Sequence, residues 1–318
     1  MKILYAILFL TSSLCFAQTA QVVDADSKEA VPFATISFGN GLGTFAGENG
    51  FFAFAKSKYK DVDTLFISSI GYAEKAIAVN NLPNKIYITV EADLLDEVIV
   101  AAPKRGPYKT KKEKATTHKD YFTSWLPTVE SEVAVRFTRR DNKSTQITKL
   151  FLPVNAESKY GTKGKGNYAT VFRIQFYRDA NGLPGKPMIH EKIIFNIDQD
   201  TDKQYVLDIT DSRIFIPKNG CYASLSVLGY ADKNGVLQQS KKYSEVETRR
   251  GVKKISTTFR PLLPFSNKLK DRQTFVRRIF FNKKQWQVFD KTYNANSTLV
   301  RSGHVNYGMG AEFRVYKE

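Results

Sequence analysis

The chain has 318 residues, 42% hydrophobic and 25% charged, with 48 Lys+Arg against 31 Asp+Glu. That apolar fraction excludes a disordered chain, and 19 Gly with 11 Pro are too few for a fibrous one. Phe (23) and Tyr (16) far outnumber Met (3), which favours pleated, half-buried surfaces over helices, and the length suits two domains.

The net charge of +17 invites a nucleic-acid reading, but residues 1–17 point elsewhere. Lys2 gives a positive start, Ile3 to Leu10 form an apolar run too short to span a bilayer, and Ala17 before Gln18 suits signal-peptidase cleavage. The rival reading is acylation at Cys15; Leu14, directly before it, is larger than that position normally takes. We expect an exported chain, with no later transmembrane span and no nucleic-acid partner. Its location would be periplasmic, outer-membrane-associated or extracellular. Beyond the leader, Cys221 stands alone, so stability must come from core size and not from a disulfide.

Residues 18–100 carry 6 basic and 11 acidic side chains. They read as about seven short strands. Thr19–Val23 opens the series, Val31–Phe38 alternates with period two, and Gly39–Thr44 reads as a glycine-rich turn. Asn49-Gly50 is a hairpin signal before Phe51–Phe54; Thr64–Ile70, Lys85–Val90 and Glu97–Val100 follow. No helical period of useful length intervenes, so a small β-sandwich is expected.

These residues also carry a family likeness. Val22-Val23-Asp24, Pro32-Phe33-Ala34-Thr35-Ile36, Gly43-Thr44 and Glu48-Asn49-Gly50-Phe51-Phe52 fall in the order of the carboxypeptidase regulatory-like domain. Ile67–Tyr72 and the closing Leu95–Val100 continue the pattern. The segment resembles the copy found at the front of TonB-dependent outer-membrane receptors. The resemblance implies a transthyretin-like sandwich in an accessory, non-catalytic role, and every quoted residue has a structural reading of its own.

Residues 101–119 hold seven basic side chains and one acid, with Pro103 and Pro107, and read as a solvated basic linker. Membrane contact through acidic headgroups is its functional option. Residues 120–318 hold 34 basic and 19 acidic residues. Glu132–Phe137, Thr145–Leu152, Val171–Arg178, Ile193–Ile197, Tyr205–Ile209, Ile214–Ile216, Tyr222–Leu228, Thr274–Phe281, Gln285–Phe289 and Ala311–Tyr316 read as strands of a second, larger β-sandwich or jelly roll. The whole chain is thus expected to be all-β.

Catalytic constellations do not assemble. His118, His190 and His304 are isolated, and His190-Glu191 lacks the second histidine of a zinc-protease helix. No Gly-x-Ser-x-Gly elbow occurs. Asp198-Gln199-Asp200-Thr201-Asp202 has the alternation of a calcium loop, but Lys203 stands where Gly should and Ile209 where Glu should. Gly161–Gly166 lacks phosphate-loop spacing. We expect no enzyme activity, no cofactor and no metal. The remaining candidate is a basic patch for an anionic ligand, formed by Arg249, Arg250, Lys253, Lys254, Arg277, Arg278, Lys283 and Lys284 beside Trp286. Its partner would be an anionic surface glycan or a cell-envelope protein, with a plain solvated face as the bland reading. Accessory work in TonB-dependent uptake, and carbohydrate binding at Trp125 and Trp286, are the alternatives.

Overall fold

A computed structural model describes residues 17–91, 106–156, 168–189, 191–238, 242–249, 251–269, 272–281 and 284–317. Residues 1–16 of the expected leader, the closing Leu95–Val100 motif, residues 101–105 of the linker and the Gly161–Gly166 loop lie outside the described residues.

The described chain is nearly all β. In the first unit a three-stranded sheet places Gln18–Asp24 between Phe51–Phe54 and Lys85–Ile88. It faces a four-stranded sheet ordered Gly43–Phe45, Thr35–Ser37, Thr64–Ser68, Lys75–Ala78. Period-two alternation sends Val22, Ile36, Phe52, Phe54, Leu65, Ile67, Ile86 and Ile88 into one apolar layer between the sheets. Gly50, at φ 76°, closes the hairpin; a Cβ there would sit 2.6 Å from the Val22 carbonyl oxygen, so only glycine fits. The Gly39–Thr44 turn of the sequence reading is shorter than expected, because Gly43 already belongs to a strand.

The second unit packs a seven-stranded sheet against a five-stranded one. The first is built around Ala169–Ala180, Cys221–Tyr230, Ser131–Phe137 and Thr274–Arg278, all antiparallel. The second centres on Thr145–Pro153 and Gly310–Tyr316. Phe137, Phe172, Ile174, Phe176 and Leu225 meet Leu150, Leu152, Ala311 and Phe313 between them. Burying the Leu, Ile and Phe side chains among these stabilises the fold by roughly 1.5–3 kcal/mol each before entropy is counted.

The linker reading needs correction over its second half. Tyr108–Glu113 is a strand, paired antiparallel with Gly310–Tyr316 in the register Lys111↔Phe313. Further on, the Thr116 amide donates to the Gly308 carbonyl at 2.9 Å. The like charges are tolerated because this is a sheet edge: five of the six residues are exposed, and lysines on an edge also discourage further strand addition.

Tyr243–Thr248 and Gly251–Ser256 form a separate hairpin. No helix among the described residues is long and apolar enough to cross a membrane.

Candidate functional site

Strand alternation gives the seven-stranded sheet an outer face whose centre is buried and mixes polar with aromatic side chains. Glu132 lies there with no exposed surface, between Ser226 and Arg277 on the flanking strands. Its carboxylate accepts from Arg277 Nε at 2.6 Å, Ser224 Oγ at 2.5 Å and Tyr177 Oη at 3.0 Å. Arg277 also donates to Tyr177 Oη at 2.7 Å and lies over the Trp286 ring, 4.7 Å from its centroid. Burial pushes the Glu132 carboxyl upward, but the Arg277 and Arg173 charges and the Ser224 hydrogen bond outweigh it, and the net shift is downward. Burial likewise raises Tyr177, which stays protonated. The Glu132 carboxylate is thus fully engaged under an aromatic cover, although Trp286 Nε1, Arg173 Nε and Ser226 Oγ beside it find no hydrogen-bond partner among the described residues.

Among the described residues, several members of the predicted basic patch have partners within the chain. Arg277 is paired as described, and Arg278 pairs with Glu130. Lys284 reaches Glu74 at 2.7 Å and Ser68 Oγ at 3.2 Å in the first unit. Lys254 donates to the Lys58 carbonyl at 2.6 Å and sits over the Tyr59 ring. Lys253 and Arg249 are exposed on the hairpin. Arg250 and Lys283 lie outside the described residues. Four of the eight therefore have intramolecular partners, two of them joining the two units.

That junction is extensive. Ser37 Oγ donates to the Phe280 carbonyl at 2.7 Å, and the Gly41 amide to the same oxygen at 3.3 Å. Tyr243 Oη accepts from the Gly43 amide at 2.8 Å and donates to the Gly43 carbonyl at 3.1 Å. Phe45 packs 5.4 Å from Phe280, and the Arg173 guanidinium lies over Phe45. Phe33 and Phe45 belong to the same apolar cluster as the core of the second sandwich. Lys192 donates to the Pro32 carbonyl, and burial pulls its pKa down to about 8, with Arg173 adding to the effect.

The remaining chemical candidates resolve into structural roles. Cys221 is buried, and burial pushes its thiol up to about 12. His118 Nε2 contacts the Phe265 carbonyl at 2.7 Å, and His304 Nδ1 contacts Ser302 Oγ at 3.0 Å; His190 lies outside the described residues. Asp198 Oδ1 accepts from the Asp200 and Thr201 amides, which makes the acidic run a capped turn. Among the described residues no group of three or more His, Cys, Asp or Glu could hold a metal.

The two tryptophans differ. Trp286 is buried beneath Arg277 and Tyr177. Trp125 is half-buried and lines an open groove of about 450 Å³ with Tyr121, Phe122, Leu126, Glu130 and Tyr293. Phe122 is 57% exposed and Leu126 41%. Sequence reasoning named Trp125 but missed the groove, whose walls come from residues 121–131, Arg278 and residues 289–299.

Among known proteins, no curated protein matches the chain. A family model does match part of it, over residues 19–100. These bounds coincide with the first sandwich as far as it is described, and they include the Val22–Asp24, Gly43–Thr44 and Asn49-Gly50 motifs. Residues 19–100 are a CarboxypepD_reg-like domain.

Proposed function

We propose that the protein is a non-catalytic, exported cell-envelope protein whose CarboxypepD_reg-like domain acts as a docking module for the larger sandwich. The observation that carries this reading is the junction. Reciprocal Tyr243–Gly43 hydrogen bonds, the Ser37–Phe280 bond and the Phe45–Phe280 contact commit one sheet of the small domain to its neighbour. The larger sandwich then presents the surfaces that meet an envelope partner.

A carbohydrate-binding version is favoured by the groove at Trp125, where aromatic faces stand beside the Glu130–Arg278 pair. Aromatic planes bury the apolar faces of sugars while charged groups bind their hydroxyls. One experiment separates the two: a photo-crosslinking amino acid at Phe122 or Leu126 in the native host. Crosslinks to an envelope protein support docking, and an uptake receptor as the captured protein would place the chain beside that machinery. Crosslinks to polysaccharide support the glycan version. Recovery of the protein uncrosslinked, in the cytoplasm, contradicts both.

A further inference from the structure

The excess of positive charge has a second address, one that the patch at 249–284 does not include. The Tyr108–Glu113 edge strand and the residues ending the Ser131–Phe137 strand enclose a cleft of about 820 Å³. Lys111, Lys112, Arg136, Arg139, Arg140 and Arg272 line it, with Glu113 and Asp141 as its two acids. We propose that this cleft binds a sulfate or phosphate ester carried on an acidic saccharide.

Two guanidiniums, Arg140 and Arg272, share the single carboxylate of Glu113. One carboxylate cannot compensate both, and burial pulls both arginines downward, the mark of cations held partly out of water. Arg139 gives its Nε to the Ile216 carbonyl at 2.8 Å, a neutral partner that leaves its full charge in place. Arg136 donates to the Asn219 carbonyl at 2.8 Å and stands 3.5 Å from Asp179. Lys111 pairs with Asp141 at 2.6 Å and Lys112 with Glu312 at 3.0 Å. Cations therefore outnumber anions along the walls, and most are arginines, whose planar forks suit tetrahedral oxyanions.

The backbone supports the site. Pairing with Gly310–Tyr316 fixes the edge strand, and the Arg140 guanidinium lies 4.6 Å from the Phe313 ring centroid. A preformed basic hollow costs little to organise on binding. Its concavity favours an ester on a flexible sugar chain over headgroups in a flat bilayer.

The test is titration calorimetry of the full chain with a sulfated heparin-type octasaccharide and its desulfated counterpart. The sulfated probe is expected to bind, more weakly as salt rises, and the desulfated one not to bind. Arg139→Gln should weaken binding about ten-fold, the scale of one charged hydrogen bond. The exposed Lys111→Gln/Lys112→Gln pair, which leaves the core untouched, should weaken it several-fold, while Lys253→Gln on the hairpin leaves it unchanged. Wild-type affinity in the cleft variants, or an equal loss in Lys253→Gln, overturns the proposal. So does binding to phosphatidylglycerol vesicles without binding to the sulfated saccharide.

Discussion

Tyr243 and Gly43, 200 residues apart, hydrogen-bond each other in both directions: the Gly43 amide donates to Tyr243 Oη at 2.8 Å, and Oη donates back to the Gly43 carbonyl at 3.1 Å. One hydroxyl thus satisfies both backbone groups of a residue inside the domain junction. It can do so because Gly43 has no side chain. A Cβ there would lie 2.4 Å from Phe280 Cδ1 and 2.5 Å from the Ile36 carbonyl.

Tyr243→Phe keeps the ring but strands a buried amide and carbonyl. Each unsatisfied group costs about 1–3 kcal/mol. We expect a fall in midpoint of several degrees in a thermal melt followed by circular dichroism. A melt superimposable on wild type would show that the hydroxyl contributes nothing to the junction.

Glu132→Ala leaves the half-buried Arg277 without its carboxylate. Loss of one partner of a fully buried pair costs about 3–5 kcal/mol, and the partial exposure of Arg277 puts the expected loss below that. Replacing both, as Glu132→Gln with Arg277→Met, should recover much of that loss. The pair also sets a pH dependence. The folded carboxyl lies below its ordinary value of 4.5, so its stabilisation is complete above that value and disappears as pH falls through the folded pKa. Denaturant titrations at several acidic pH values should show a shallower loss for Glu132→Gln than for wild type.

Lys242 gives the same sign of pH dependence, in an alkaline window. It is buried, donates to the Leu228 carbonyl at 3.3 Å, and burial lowers its pKa from 10.5 to about 8. Between those values the unfolded chain binds the proton and the folded one does not, so this group makes stability rise with pH from about 8. Raised tyrosines such as Tyr243 act against it above about 10, where the unfolded chain ionises first. The difference between wild type and Lys242→Met, measured by urea unfolding from pH 7 to pH 10, isolates the lysine. Methionine should be the more stable at neutral pH, with its advantage shrinking as pH rises.

Packing of the basic segment can be read by protease. Tyr108–Glu113 is held in the sheet, so trypsin should cut slowly after Lys109, Lys111 and Lys112 in the native chain. Gly310→Ala would place a Cβ 2.3 Å from the Glu113 carbonyl and should release the strand. Rapid cleavage of the wild-type chain at these lysines would mean that the segment is the spacer its charge suggests.

The distance between these partners explains what the sequence could and could not convey. Val171–Arg178 was legible as a strand because its apolar side chains alternate, and the same alternation fills the core from both sheets. Tyr108–Glu113 shows no such alternation. Five of its six residues are exposed, and its pairing depends on a strand about 200 positions away. Arg277 and Arg278 read as part of a basic surface patch because the acids that pair with them, Glu132 on the Ser131–Phe137 strand and Glu130 just before it, are distant in sequence. The CarboxypepD_reg-like domain was legible because its glycines and turns are local and ordered. Its junction was not, because Ser37, Gly41 and Gly43 find their partners at Phe280 and Tyr243.

The central claim is that the two sandwiches form one body. Differential scanning calorimetry of the full chain tests it most directly. A single transition, with calorimetric and van't Hoff enthalpies in agreement, is the predicted result, and Gly43→Ala should split it in two. Two separate transitions in the wild-type chain, unchanged by Gly43→Ala, would contradict it.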